Sequence, residues 1–259
     1  MGTAGTIIAI GDELVGGFTL DTNSHWLAGR LRLLGKPLKR VTQVRDRVTE
    51  IVDQLHQDLA DPDVETVITT GGLGPTPDDR TFESVAAALG RELFIFEPVR
   101  ERIELRLRRM VAAGLIDSAE LNEGHLRMAA IPTGPTEVLR NRIGTAPGLL
   151  YEVDSRRLFV LPGVPAEMKA IFEEEIEPRF FAGGGALAVS ELRLRFAVEG
   201  RFYPVIRELE RSHPDVAVGS YPNFDTKELV IRCSGLDPAH VESALEVVRR
   251  HARALGYTA

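Results

Sequence analysis

An α/β fold with a mostly parallel sheet follows from three features of the chain. β-branched runs alternate with helical stretches from Thr6 to Gly90, an order that calls for right-handed crossovers. A glycine-rich loop joins one of those runs to the next helix. After Phe181-Ala182-Gly183-Gly184-Gly185-Ala186 the pattern changes to strand–helix–strand–strand–helix. Those glycines predict a flexible linker between two domains, 1–180 and 186–259, the second a small α+β unit. At 259 residues, 44% hydrophobic and 27% charged, the chain can bury cores of this size.

The elements follow in order. Thr6 to Ile10 reads as a buried first strand, with Gly11-Asp12-Glu13 at its carboxyl end. Asp21-Thr22-Asn23-Ser24 offers N-caps for a helix through Trp26, Leu27, Leu31 and Leu34, closed by Gly35. Pro37 to Val44 is the second strand. Thr49 to Leu59 is a helix with Ile51, Val52, Leu55 and Leu59 on one face. Val64 to Thr70 is the third strand, and Thr81 to Leu89 a helix ended by Gly90. Glu97 to Ala113 is a long helix. Its Arg100, Arg102, Arg106, Arg108 and Arg109 alternate with Glu101 and Glu104, which predicts a solvated face of local ion pairs. Gly114 to Gly148 reads as irregular, and long irregular segments in compact domains are often functional. Leu149–Val153 and Leu158–Leu161 pair as a hairpin across Asp154-Ser155. Pro165 opens a helix through Ile171, Phe172 and Ile176 that Pro178 is expected to end. In the second domain Glu191–Val198, Val216–Ser220 and Glu228–Cys233 are strands. Phe202–Leu209 and Pro238–Leu255 are helices, the latter with an apolar face of Val241, Ala244, Leu245, Val248 and Ala252.

Composition narrows the function. A net charge of −7 argues against nucleic acid as the main partner. The single cysteine, Cys233, forms no intrachain disulfide and reads as a small buried hydrophobe. No signal-peptide pattern is present, and no apolar run reaches the ~18–20 residues that span a bilayer. A cytoplasmic protein with no membrane partner is expected. His25, His56, His125, His213, His240 and His251 show neither HxH nor HxxxH spacing, which argues against a zinc site. There is no GxSxG or Cys-His signature for a nucleophile. Nor is there a Lys-Ser/Thr after the glycines or a GxGxxG fingerprint.

Parallel crossovers bring every loop that follows a strand to one sheet edge. There Gly71, Gly72 and Gly74 leave backbone amides open to a phosphate, and the helix starting near Thr81 adds partial positive charge. Asp12, Glu13, Asp78 and Asp79 would share that edge. Together they could hold a hard divalent cation such as Mg²⁺, to neutralise phosphate oxygens and ready a water. The competing reading is that Asp12 and Asp79 satisfy loop amides or cap helices. Asn141 to Gly148 offers polar contacts to a nucleotide or pterin, or is plain turn chemistry. Leu161-Pro162-Gly163-Val164-Pro165 adds a third strand-to-helix junction to the edge.

Gly11-Asp12-Glu13-Leu14, Thr22-Asn23, Thr70 through Thr81, Asn141 through Gly148 and Leu161 through Met168 together closely resemble a known family. It is the N-terminal half of the competence/damage-inducible CinA proteins, a branch of the MoaB/Mog-like molybdopterin-binding superfamily. The resemblance covers Ile7 to about Phe180. It implies a three-layer α/β/α sandwich that binds a nucleotide or pterin at one sheet edge. It implies Asp79 and Asp12 as catalytic residues, and Asp12, Glu13, Asp78 and Asp79 as metal ligands. Gly71, Gly72, Leu73, Gly74, Thr76, Asn23, Asn141, Gly144, Thr145, Pro162 and Gly163 would bind substrate or its phosphates. The cofactor implied is Mg²⁺, Mn²⁺ or Co²⁺, with K⁺ as a companion ion.

In molybdenum-cofactor members the residue matching Asp79 serves pterin adenylylation. CinA-type members are associated with metal-dependent cleavage of ADP-ribose to AMP and ribose 5-phosphate, and relatives fused to FAD synthases act on FAD. Three readings stay open at this point: a pyrophosphatase of the ADP-ribose type, a molybdopterin-binding or adenylyl-transfer protein, and a non-catalytic nucleotide-binding protein. The partner is a small molecule, with self-association expected for the superfamily. His125 and Met128 stand where the family often has asparagine and glutamine, which bears on substrate identity. The nicotinamide mononucleotide deamidase domain of many CinA proteins has no room before Ala259, so that activity is not expected.

Overall fold

The computed structural model describes residues 4–181, 183, 185 and 187–258. The chain divides into two compact units, Met1–Leu31 with Lys36–Ala182 and Arg32–Gly35 with Gly183–Ala259. The expected glycine linker falls partly on Ala182, Gly184 and Ala186, which lie outside the described residues.

The first unit begins with β1 (Ala4–Ile10), α1 (Asp12–Val15), α2 (Thr22–Leu33), β2 (Leu38–Val44), α3 (Val48–Ala60) and β3 (Val64–Thr70). It continues with α4 (Thr81–Ala88), β4 (Leu93–Ile95), α5 (Glu97–Ala112), α6 (Glu123–Ala129), β5 (Ala130–Pro132) and β6 (Glu137–Leu139). It closes with β7 (Gly148–Val153), β8 (Arg156–Leu161), α7 (Pro165–Ile171) and a π-helical turn, Phe172–Phe181. The main sheet runs β2-β1-β3-β8-β7-β6. Its first four strands are parallel, and β7 and β6 are antiparallel additions. Central parallel strands are covered on both faces, which is why β1 and β3 are buried along most of their length, the threonines of β3 included. Ile8, Ile10, Val67 and Val160 face Ile51 and Leu55 of α3 and Phe82 and Val85 of α4. On the opposite face Phe159 meets Phe180 at 5.3 Å and Phe181 at 6.2 Å. There too Trp26 of α2 meets Phe172 edge-on at 5.6 Å. Helices therefore cover both sides of the sheet, in three layers as expected.

Three expectations need correction. Pro178 does not end its helix: the π-helical turn carries it inside, as far as Phe181. A wider turn tolerates the missing amide, and Phe172, Ile176 and Phe181 are buried along it. The stretch 114–148 is not structureless. It holds α6 and β5, and β5 pairs with β4. α6 opens with a capping box in which Asn122 Oδ1 accepts the His125 amide at 3.0 Å and His125 Nδ1 accepts the Asn122 amide at 3.2 Å. Val99, Ile103 and Leu107 of α5 and Ala129 of α6 make a small core of their own. The third correction concerns the arginines of α5. Arg100 and Arg108 pair with Glu97 or Glu104, but Arg102 and Arg106 turn toward the Asn141–Thr145 turn instead.

The second unit contains β9 (Ala188–Arg195), a 3₁₀ turn (Glu199–Phe202), α8 (Tyr203–Ser212), β10 (Ala217–Asn223), β11 (Glu228–Gly235) and α9 (Pro238–Ala254). Its antiparallel sheet runs β10-β11-β9. Leu229, Ile231 and Cys233 alternate inward on β11 and meet Val205 and Leu209 of α8 and Leu245 and Val248 of α9. Burial pushes the Cys233 thiol up to about 11, so it is an inert hydrophobe as expected. Among the described residues no helix is long and apolar enough to cross a membrane.

Candidate functional site

The carboxyl ends of β1, β3 and β8 converge on a cavity of about 910 Å³. Gly11, the loop Gly71–Pro75 and the junction Pro162–Pro165 line it, together with apolar Ile103, Leu107, Met110 and Met128 from α5 and α6.

The glycine loop has its shape for steric reasons. Gly71 has φ +110° and Gly72 φ +66°, conformations that disfavour any side chain. A Cβ on Gly71 would strike the Ile10 carbonyl, and one on Gly72 the Thr81 hydroxyl. Thr81 closes the loop, its hydroxyl donating to Gly71 O at 2.8 Å and its amide to Gly72 O at 3.1 Å. Asp79 braces the far side. Its Oδ1 accepts the Gly74 amide at 2.7 Å, and Oδ2 accepts the Thr76 amide at 2.8 Å and the Thr76 hydroxyl. In this state its carboxylate therefore satisfies loop amides, the competing reading weighed from sequence. The amides of Gly72 and Leu73 have no hydrogen-bond partner among the described residues.

A second clamp ties β3 to β8. Asn23 Nδ2 donates to Thr70 Oγ1 at 3.0 Å and to Gly163 O at 2.7 Å, while the Thr70 hydroxyl donates to Pro162 O at 3.0 Å. A Cβ on Gly163 would lie 3.1 Å from Gly71 Cα, so the two loops touch through backbone. Asn23 itself lines the cavity, and its buried Oδ1 has no partner among the described residues.

Glu13, Asp78 and Asp79 line the cavity. Asp12 does not: it is exposed and stands outside the lining, although Glu13 beside it in the first turn of α1 belongs to the lining. Asp46 takes its place. Asp46 Oδ2 accepts the Asp12 amide at 2.7 Å, and the side chain faces the cavity. Burial pushes the Asp46 carboxyl above the ordinary aspartate range, with a further push from the charges of Glu13, Asp12 and Asp78. Nothing in Arg45-Asp46-Arg47 marks Asp46 as part of a motif. The available signal was position, since a residue just past a parallel strand belongs to the ligand edge.

Thr76, Asn141 and Gly144 also stand outside the lining. Asn141 is buried, with Nδ2 donating to Ala146 O at 2.7 Å and Glu167 Oε2 at 2.6 Å. Its Oδ1 accepts the amides of Ile143 at 3.1 Å and Gly144 at 2.8 Å. Asn141 thus builds the turn, where a direct ligand contact was expected. A Cβ on Gly144 would run into the Glu167 carboxylate. Thr145 does line the cavity, as do Pro162 and Gly163, and its Oγ1 accepts from Arg106 Nη1 at 3.0 Å. His125 lines it as well, and since its Nδ1 accepts an amide, its neutral ring carries the proton on Nε2.

Arg106 is the only lysine or arginine among the described lining residues. It shares the lining with Glu13, Asp21, Asp46, Asp78, Asp79, Glu120 and Glu167. Among the described residues no three acidic, histidine or cysteine side chains stand close enough to chelate a metal unaided. Hard oxygen donors such as Glu13, Asp46 and Asp78 still fit an Mg²⁺-like ion. Such an ion commonly uses one or two carboxylates and completes its shell with water and ligand phosphates.

A three-layer sandwich with this edge site defines a nucleotide- or pterin-binding domain. Residues 6–182 match the family described as "Probable molybdopterin binding domain". The chain belongs to that family and is a CinA-like member of it. A Thermococcus kodakarensis protein is 38% identical over 241 residues, covering 93% of this chain and 94% of the relative. An Aeropyrum pernix protein is 40% identical over 261 residues, covering 96% and 94%. The crystal structure of a CinA protein of unknown function from Thermoplasma acidophilum is 32% identical, with a TM-score of 0.59. That match covers 66% of this chain and 95% of the other.

Proposed function

We propose that this protein is a metal-dependent hydrolase that cleaves the phosphoanhydride of ADP-ribose or a related adenosine dinucleotide. The observation that carries the reading is one cavity in which the unpartnered amides of Gly72 and Leu73 meet the carboxylates of Glu13, Asp46 and Asp78. Amides at a strand-to-helix loop suit a diphosphate. Carboxylates alone would repel it, so the pairing calls for a divalent cation, and that cation would neutralise phosphate charge as the bridging bond breaks. The apolar side chains of Ile103, Leu107, Met110 and Met128 suit a flat base. In the reaction one water adds across the P–O–P bridge, giving AMP and ribose 5-phosphate from ADP-ribose. A second reading, molybdopterin binding with adenylyl transfer, draws its support from the family description.

One panel separates them. ADP-ribose, FAD and NAD, and separately ATP with molybdopterin, are each incubated with Mg²⁺, Mn²⁺ or Co²⁺ and K⁺, and AMP release or transfer is followed. AMP released from a dinucleotide in a metal-dependent manner is the expected outcome. AMP transferred to the pterin, with no dinucleotide cleaved, replaces the first reading by the second. Binding without turnover in every metal overturns both catalytic readings.

A further inference from the structure

β4 stands at an open sheet edge. Among the described residues it pairs with β5 alone, Leu93 opposite Pro132, Phe94 opposite Ile131 and Ile95 opposite Ala130. Two bonds just beyond the strand ends fix which way each residue points. The Thr133 amide donates to Glu92 O at 2.8 Å, and the Phe96 amide to Ala129 O at 2.8 Å. Antiparallel ladders alternate between bonded and unbonded pairs. Glu92, Phe94 and Phe96 therefore turn their backbone groups toward β5, and Leu93 and Ile95 turn theirs away. The N–H and C=O groups of Leu93 and Ile95 have no partner among the described residues.

The side chains are open as well. Leu93, Phe94 and Ile95 are 43%, 38% and 38% exposed, three apolar residues in a row. Strand alternation puts Phe94 on one face and Leu93 and Ile95 on the other, so neither face is covered. Native edges are commonly blunted by a charge, a proline or a bulge, and Leu93-Phe94-Ile95 carries none of these. Such an edge is a template for another strand.

The edge is symmetric about Phe94, with one outward residue on each side, and that symmetry suits a second copy of itself. With Phe94 opposite the partner's Phe94, Leu93 stands opposite the partner's Ile95. Every outward amide and carbonyl of Leu93 and Ile95 is then paired on both edges. A slip in one direction sets Arg91 opposite the partner's Ile95, but the Arg91 amide already donates to Ala86 O at 2.8 Å. A slip in the other direction sets Leu93 opposite the partner's Glu97, where the strand has ended and α5 has begun. The central register also places Arg91 opposite the partner's Glu97. The Arg91 guanidinium donates only to the carbonyls of Thr133 and Gly134 and has no carboxylate within ion-pair distance among the described residues. Opposite charges facing across a ladder favour the pairing.

We propose that β4 is a self-association edge, through which two copies of this chain pair antiparallel across a twofold axis. The result is a continuous sheet in the order β5-β4-β4-β5. The contact is small, so the dimer forms as protein concentration rises. It goes beyond the hydrolase reading and depends on no reaction.

The full chain is followed by sedimentation velocity over a wide concentration range. Wild type is expected to pass from monomer to dimer. Ile95→Pro removes an outward amide while leaving the β5 pairing in place, and should weaken the dimer tenfold or more. Ile95→Val keeps the amide and should dimerise as wild type does. A second measurement reads the register. Residues at an unbonded antiparallel pair have Cα atoms about 4.5 Å apart, a span that a disulfide bridges. Phe94→Cys should therefore form a disulfide-linked dimer on mild oxidation, without competition from buried Cys233. Glu92→Cys should not, because the two copies of that position lie about 13 Å apart along the ladder. Circular dichroism checks each variant's fold, and the cysteine pair decides alone if Ile95→Pro does not fold. The proposal is overturned if wild type stays monomeric at every concentration or if a folded Ile95→Pro dimerises as wild type does. It is also overturned if the two cysteine variants cross-link equally or neither does.

Discussion

Burial of Asp46 beside Glu13, Asp12 and Asp78 makes its carboxyl hold a proton more readily than a free aspartate does. The folded chain therefore keeps this proton at a pH where the unfolded chain has lost it. The resulting stability is complete below the ordinary aspartate value of about 3.9 and is lost as pH rises through the folded value. Asp46→Asn removes the titration. In metal-free calorimetry the variant's Tm should gain on wild type as pH rises from about 3.5 to 6, and an unchanged difference would show that Asp46 is not the group responsible. Asp79 makes a different prediction, because its carboxylate braces the loop at Gly74 and Thr76. Asp79→Asn places an amide NH₂ against one of those donors, which should cost on the order of 1 kcal/mol of stability. It should also lower AMP release from ADP-ribose at least tenfold, and a wild-type rate would remove Asp79 from any role in the site. The place of Gly71, Gly72, Gly74, Glu13 and Asp78 in the cavity lining was legible in sequence because the loops and turn that carry them come after β1 and β3. Asp46 was not, since its place at the edge depends on β2 lying beside β1, and strand order is not written in local pattern.

Elements with strong periodicity were legible almost to the residue: Val64–Thr70 was expected as a strand and is β3. What local pattern missed was fixed by distant packing or by a cap. The π-helical turn keeps Pro178 because Phe181 packs on Phe159 and Phe172. α6 is seven residues long, too short for an apolar stripe to announce it, and the Asn122–His125 capping box holds its first turn. The same box aims His125 at the cavity, so the fold of α6 and the lining of the site depend on one pair of hydrogen bonds. Asn122→Ala should therefore cost about 1 kcal/mol locally. Hydrogen exchange should quicken in α6 while the amides of β1 and β3 stay protected. Exchange that quickens equally throughout the sheet would mean that α6 does not open on its own.

Each unit closes a hydrophobic core of its own, one around Ile8, Val67 and Val160 with α3 and α4, the other around Ile231, Cys233 and Leu245 with α8 and α9. The residues that line the cavity all belong to the first unit. Two cores closed separately predict two calorimetric transitions rather than one. A ligand that binds only folded protein stabilises the part that holds it, by about 2.7 kcal/mol when its concentration is a hundred times Kd. A divalent cation with a non-hydrolysable ADP-ribose analogue should therefore raise one transition and leave the other in place. Val248 is fully buried in the second core, so Val248→Asp puts an unpaired charge there and should lower or abolish the transition that the ligand does not move. A single transition that responds to both the ligand and Val248→Asp would show that the two cores unfold as one. In that case the second unit would share in the energetics of the cavity although it lines none of it.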